Sequence, residues 1–265
     1  MITKVVPKLF KSKARWFRAF VVKQFIWLKS KKNDVSSLNS VIIAPHPDDE
    51  VLGCGGIIAI KTREQLKVSV IFLTDGENSH KICCSLSSNL VGDKRRKHSI
   101  EALSILGVKA RDIYRIGLRD GSIPTGSNEK EFQNAVEKLA TKLNKIDVDE
   151  IYIPHPLDRM PDHEAASRIA EKAISRINKK CELFYYPIWM WTELQFVLLP
   201  KLMTYEVLSF NIQNVLQDKI NAIEAYLKEQ VEGCGCPYCG DLQKDGFINS
   251  YKKPYEIFFR QARLK

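Results

Sequence analysis

The chain has 265 residues, enough for one large domain with a substantial core. Its 45% apolar content is ordinary for a globular protein and excludes a disordered or fibrous chain. The net charge of +10 is localised: residues 1–33 hold ten Lys or Arg and no acid, and the remainder carries 31 of each sign. A neutral body argues against nucleic-acid binding, which needs a basic face on the domain itself.

In residues 1–33, Ile2, Val6, Leu9 or Phe10, Phe17, Phe20 or Val21, Phe25 and Leu28 recur at helical spacing, beside Trp16 and Trp27. Arg18, Lys23 and Lys29 interrupt the run well short of the ~18 apolar residues of a membrane span. Lys23 also breaks a secretory core, and no small-residue cleavage site follows. The expected element is a basic amphipathic helix. It suits an anionic membrane surface or, alternatively, packing against the body. Seven cysteines, an odd number without a secretory signal, imply a reducing compartment. The expected location is therefore cytoplasmic, peripheral at the inner membrane face.

A polar linker from Asn33 to Asn39 divides the basic arm, residues 1–33, from a domain at 34–265. Strands are expected at Ser40–Ala44, Val68–Thr74, Ile113–Ile116, Glu150–Pro154 and Leu183–Tyr186. Helices are expected near Gly55–Lys61, Lys94–Leu106, Lys130–Leu143, His163–Ile177 and Leu216–Gln230. This alternation predicts a Rossmann-like, three-layer α/β/α domain with a mainly parallel sheet. Loops beginning at Thr74, Gly117 and Pro154 would gather at one sheet edge, beside the turn that follows Ala44.

That turn reads Pro45-His46-Pro47-Asp48-Asp49-Glu50. A catalytic metal needs three protein ligands and an open position. His46 and Asp49 supply two, and His163 of Pro161-Asp162-His163-Glu164 is the candidate third, with Asp162 expected to buttress it. Arg95 and Arg159 could contact hydroxyls or phosphate of a substrate, and Glu77 and Asp120 could accept hydroxyls. Both Asp75-Gly76 and Asp120-Gly121 also fit plain turn chemistry. In the run Phe184–Trp191, tryptophans could stack on a substrate ring or pack in the core. Cys234, Cys236 and Cys239 form a second candidate metal site, a structural zinc with Cys83 or Cys84 as fourth ligand, or else are free thiols. Cys54 and Cys181 read as packed small hydrophobes.

His46-Pro47-Asp48-Asp49-Glu50 with Gly55-Gly56, Leu73-Thr74-Asp75-Gly76-Glu77, Ile116–Gly121 and Asp158–His163 occur in an order that resembles the PIG-L/LmbE-like zinc-dependent N-acetylglucosaminyl deacetylases. The late Lys219–Gln230 helix is similar to that family's as well, so the resemblance covers roughly residues 40–230. It implies zinc, or another divalent ion, on His46, Asp49 and His163, with Asp48 as general base. The expected substrate is an N-acetylglucosamine-type sugar in a glycan or glycolipid precursor. A soluble thiol-glycoside or a nucleotide-sugar is the alternative. One departure stands out: Met160 occupies the place of the family's usual histidine, and a thioether donates no hydrogen bond. His155, eight residues before His163, is the candidate replacement. Without a replacement, the chain reads as a slow enzyme or a non-catalytic sugar-binding protein with a degenerate site.

Overall fold

The computed structural model describes residues 8–79, 86–227 and 247–261. Its elements run in chain order as α1 (Lys8–Lys29), β1 (Lys31–Asn33), β2 (Ser40–Ala44), α2 (Asp49–Arg63), β3 (Val68–Phe72), α3 (Ser88–Ile105), β4 (Ile113–Arg115) and α4 (Glu129–Asn144). They continue as β5 (Glu150–Pro154), α5 (Pro161–Ile174), β6 (Glu182–Tyr186), α6 (Met190–Glu193), α7 (Leu199–Leu202), β7 (Tyr205–Asn211), α8 (Leu216–Leu227) and β8 (Tyr255–Gln261).

The eight strands form one sheet in the order β1-β7-β8-β6-β5-β2-β3-β4, parallel except for β8, which is antiparallel to both β6 and β7. All residues of β2, β3 and β5 are buried, as expected of central parallel strands covered on both faces. One face packs on α2, α3 and α8 through Ile57, Leu103 and Ile223. The other packs on α1, α4 and α5 through Val22, Leu139 and Ile169. This is the expected α/β/α sandwich with a mixed sheet.

Several local choices set the geometry. Ser87 accepts from the Leu90 amide to start α3, and Pro161 occupies the first turn of α5, where its missing N–H leaves nothing unbonded. Gly56 in α2 lies so close to Ile212 that a Cβ there would sit 2.5 Å from the isoleucine side chain. Chain direction reverses between β2 and β5: β2 leads outward through β3 to β4, and the chain then returns to β5 on the other side of β2. The crevice at their carboxyl ends is the topological switch point, where open α/β sheets bind ligands.

Three strands lie outside the expected set. β7 and β8 pair along their length between β1 and β6. Lys31–Asn33, on the arm side of the expected boundary, has no strand pattern of its own but pairs with Leu208–Phe210. The face of α1 that packs on the body is not the expected apolar stripe, of which Phe25 is only partly buried. Ala19, Val22 and Ile26 are buried on the body, whereas Phe20 and Leu28 are 58% and 80% exposed. Arg18 donates to the Thr192 carbonyl, Lys23 to Ser250 Oγ, and the Trp27 ring lies 4.3 Å from that of Tyr255. No helix among the described residues is long and apolar enough to cross a membrane. Cys83, Cys84, Cys234, Cys236 and Cys239 lie outside the described residues. Cys54 is buried in the α2 core; Cys181 is only half-buried.

Candidate metal centre

The turn after β2 delivers His46 and Asp49, and the loop after β5 delivers His163 on the first turn of α5. One ligand atom from each lies within 4.8 Å of the others. Asp49 Oδ2 accepts from the His46 amide at 3.0 Å, and stands 3.2 Å from His46 Nδ1 and 3.4 Å from His163 Nε2. The His163 ring is fixed from behind: its Nδ1 lies 2.7 Å from Asp158 Oδ2, which leaves Nε2 to face the cluster. Such carboxylate–imidazole pairs commonly orient metal ligands.

The buttress is Asp158, not Asp162. Fully buried Asp158 also accepts from the amides of Ile188, Trp189 and Met190, so it ties the His163 loop to the start of α6. Asp162 turns to His46 instead. Its Oδ2 lies 3.0 Å from His46 Nε2 and accepts from Gly121, while Oδ1 accepts from Ile123. Asp120, expected on the substrate side, is 3.2 Å from His46 Nε2. Adjacency in sequence favoured Asp162 as the buttress, but the helical start of α5 points the two side chains different ways. The Asp158-Arg159-Met160 stretch gave no signal beyond its acid five residues ahead of His163.

Asp48 takes a different posture from its neighbours. Its backbone has φ of 114°, a left-handed conformation uncommon for a residue with a side chain. Glu50 Oε2 accepts from its amide, and Tyr226 donates to Glu50 Oε1 at 2.5 Å. The half-buried Asp48 carboxylate meets Arg95 Nη2 at 3.1 Å, and the same nitrogen donates to the Pro47 carbonyl. Gly76 makes room for this arginine: at φ +64°, a Cβ there would fall 2.3 Å from Arg95 Nε. Arg95 therefore sits on Asp48 rather than standing free for substrate. Glu77 Oε1 accepts from the Asp120 amide, while its buried Oε2 has no partner among the described residues. Arg159 is exposed at the rim, with only a 3.9 Å approach to Glu164.

The structure does not bring His155 to this cluster. Its ring is fully buried against Tyr205 and Phe259, with centroids 4.7 Å away in each case, and Tyr185 lies beyond. Nδ1 accepts from the Leu157 amide and Nε2 has no partner among the described residues. Burial, aided by Lys201, pushes its pKa down to about 3, so the imidazole is neutral. It replaces no donor at Met160, which begins α5 without a side-chain cap.

The charges show what the cluster lacks. Burial works against charge on His46, but hydrogen bonds from Asp120, Asp162 and Asp49 hold its pKa well above the usual value. His163 is raised in the same way, against burial, by Asp49 and Asp158. For Asp49, burial is outweighed by His163 and His46, which lower it. Asp48 is pushed by burial up to about 6 in spite of Arg95, and Glu50 by burial to about 8. Acidic groups outnumber the cations around two imidazoles, and a divalent ion would balance them. Two imidazoles and one carboxylate, one imidazole backed by a second carboxylate, fit such an ion. The other grouping, His46 with Asp120 and Asp162, offers one imidazole only.

Known proteins share this arrangement of chain. The family model PIG-L, GlcNAc-PI de-N-acetylase, matches residues 41–174. Over 148 residues the chain is 25% identical to the probable N-acetyl-alpha-D-glucosaminyl L-malate deacetylase 2 of Bacillus cereus, covering 53% of this chain and 62% of that protein. Over 125 residues it is 30% identical to the 1D-myo-inositol 2-acetamido-2-deoxy-alpha-D-glucopyranoside deacetylase of Corynebacterium glutamicum, 43% of each. The matched stretches thus span less than two thirds of these relatives. Among solved structures, the N,N'-diacetylchitobiose deacetylase of Pyrococcus horikoshii superposes with a TM-score of 0.57 at 19% identity, over 97% of this chain and 95% of that one. The 4-carboxy-2-hydroxymuconate hydratase GalB of Pseudomonas putida superposes with a TM-score of 0.61 at 16% identity, over 86% and 97%. A hydratase and a deacetylase on one fold show that the fold alone does not name the reaction. The family match runs over half of the chain and takes in both the His46 turn and the His163 helix: the chain belongs to the PIG-L family.

Proposed function

We propose that the protein is a metal-dependent amidohydrolase that removes the acetyl group from an N-acetylglucosamine-type sugar. The observation that carries this reading is the convergence of His46, Asp49 and His163 on one point, with the Asp48 carboxylate beside it and not part of the ligand set. A divalent ion there, zinc by family resemblance, would polarise the amide carbonyl and acidify water. Asp48 takes the proton from the attacking water and returns it to the departing nitrogen, so the amide and water become acetate and a free amine. Arg95 holds the Asp48 carboxylate in place, and Asp158 holds His163. Glu77, in the wall of a polar groove, is the candidate acceptor for a sugar hydroxyl. Met160 offers a developing oxyanion no hydrogen bond, which predicts a slow enzyme.

Relatives that act on glucosaminyl malate and on an inositol glycoside favour a small glycoside or a glycolipid precursor as substrate. The exposed Phe20 and Leu28 on α1, with Lys29, Lys31 and Lys32 close by, support docking on an anionic membrane at the cytoplasmic face. The expected result is acetate release from N-acetylglucosaminides by the metal-loaded chain and none by Asp48→Asn. A metal-loaded wild type that binds the sugar and releases no acetate would make it a sugar-binding protein instead. For the membrane, Phe20→Ser with Leu28→Ser should reduce sedimentation with phosphatidylserine vesicles; unchanged sedimentation removes that part.

A further inference from the structure

Two recesses of opposite character lie in this part of the molecule, and one of them reaches Asp48 and Asp49. On the β3–β4 side, a groove of about 530 Å³ is lined by Asp75, Glu77, Arg96 and Arg119, hydrogen-bonding groups that suit hydroxyls. A smaller recess of about 60 Å³ includes Asp48 and Asp49 among its lining residues, and its other walls are almost wholly apolar: Leu52, Ile188, Trp189, Ile223 and Leu227 contribute. Tyr226 also lines it, but its hydroxyl is taken up by Glu50. The walls are braced. Trp189 stacks on Phe247 with ring centroids 4.7 Å apart, and its amide is bonded to Asp158.

An amide placed for attack beside Asp48 has two substituents to accommodate, the nitrogen with its sugar and the acyl carbon. The apolar recess, which has Asp48 and Asp49 in its wall, suits the second. A methyl group does not fill the recess. By the same kind of measure a cavity of about 150 Å³ accepts benzene, so this one takes roughly two or three carbons. We propose that this recess is an acyl-chain pocket that selects amides longer than acetyl, with N-propanoyl and N-butanoyl amines as the preferred class. The assignment rests on the amidohydrolase reading: the amide C–N bond breaks, water supplies the hydroxyl, and a short fatty acid leaves with the free amine.

Burying one methylene is worth about fourfold in affinity, so the butanoyl compound should bind on the order of tenfold tighter than the acetyl one. An octanoyl chain exceeds the space and loses that gain. The test is titration of the metal-free full chain, followed by NMR, with methyl N-acylglucosaminides carrying acetyl, propanoyl, butanoyl and octanoyl groups. Affinity rising to butanoyl and then falling is the expected result. Ile223→Phe should flatten the rise and Leu227→Ala should move the optimum to a longer chain. A series without dependence on chain length, no binding by any member, or an unchanged profile in both folded variants overturns the pocket. Acid release from the same compounds by the metal-loaded chain separates the two claims. A chain-length optimum without acid release keeps the pocket and removes hydrolysis; acetate release with a flat binding series does the reverse.

Discussion

Two buried clusters of charge stand within one helix of each other, and they are built to opposite rules. In the first, Lys219 and Glu256 meet at 2.5 Å, the carboxylate also accepts from the Gly56 and Ile57 amides, and the ammonium donates to the Leu52 carbonyl. Charge and hydrogen-bonding capacity are both satisfied inside the protein. In the second, Asp49, Asp120, Asp158 and Asp162 crowd two imidazoles, and the positive charge facing them is that of protons drawn onto the histidines and of Arg95 beside Asp48. A closed pair of this kind joins α8 to β8 and needs nothing more. An open cluster with surplus negative charge is a place for a cation. Buried charge marks function where the books fail to balance, not where charge is merely buried.

Breaking the open cluster should have the largest effect on chemistry. His163→Ala should lose the ion and with it all measurable acetate release, read by metal analysis and by acetate assay on the same sample. Asp48→Asn should keep the ion and lower turnover on the order of 100- to 10,000-fold, since it removes only the proton carrier. Breaking the closed pair should act on the fold instead. Lys219→Met leaves Glu256 buried without its cation and should cost about 3–5 kcal/mol in denaturant unfolding, with metal affinity unchanged in the folded fraction.

A smaller effect sharpens the comparison from within the open cluster. Asp158→Asn should weaken metal affinity about 10- to 100-fold without removing a ligand, as measured by competition with a chelator. The same substitution at Asp162 should leave the His163 ring in place, because Asp162 contacts His46 and not His163.

His155 gives the smallest and most local prediction. It is buried and neutral, with a pKa of about 3 in the folded chain against 6.5 for the free side chain. The unfolded chain therefore takes up the proton first as pH falls. The stability tied to His155 is complete above about pH 6.5 and is lost progressively toward pH 3. His155→Phe should flatten this part of the profile, shown by a smaller drop in unfolding midpoint between pH 7 and pH 5 than in wild type.

Much of the central sheet was legible because its signals are local. Val41-Ile42-Ile43 and Ile151-Tyr152-Ile153 are continuous apolar runs, and the turn after Ala44 is dense with ligating side chains. β1 was invisible for the opposite reason: Lys31-Lys32-Asn33 is a strand only because the edge of β7 offers it hydrogen bonds. Within the site, ligand types and their strand ends could be read, whereas roles set by rotamer and distance could not. Asp158 outranks the nearer Asp162 through the direction its carboxylate faces, and His155 turns from the cluster into an aromatic nest. The α1 spacing pointed to a helix but named the wrong face: the body claims Ala19, Val22 and Ile26, none of them in the expected stripe, while Phe20 and Leu28 of that stripe are exposed.

The most direct measurement is acetate released from a methyl N-acetylglucosaminide per mole of metal-loaded chain, for wild type and Asp48→Asn at matched metal content. Repeated turnover by wild type with little or none by Asp48→Asn is the result the open cluster predicts. Equal turnover by the two, or none by fully loaded wild type, contradicts it.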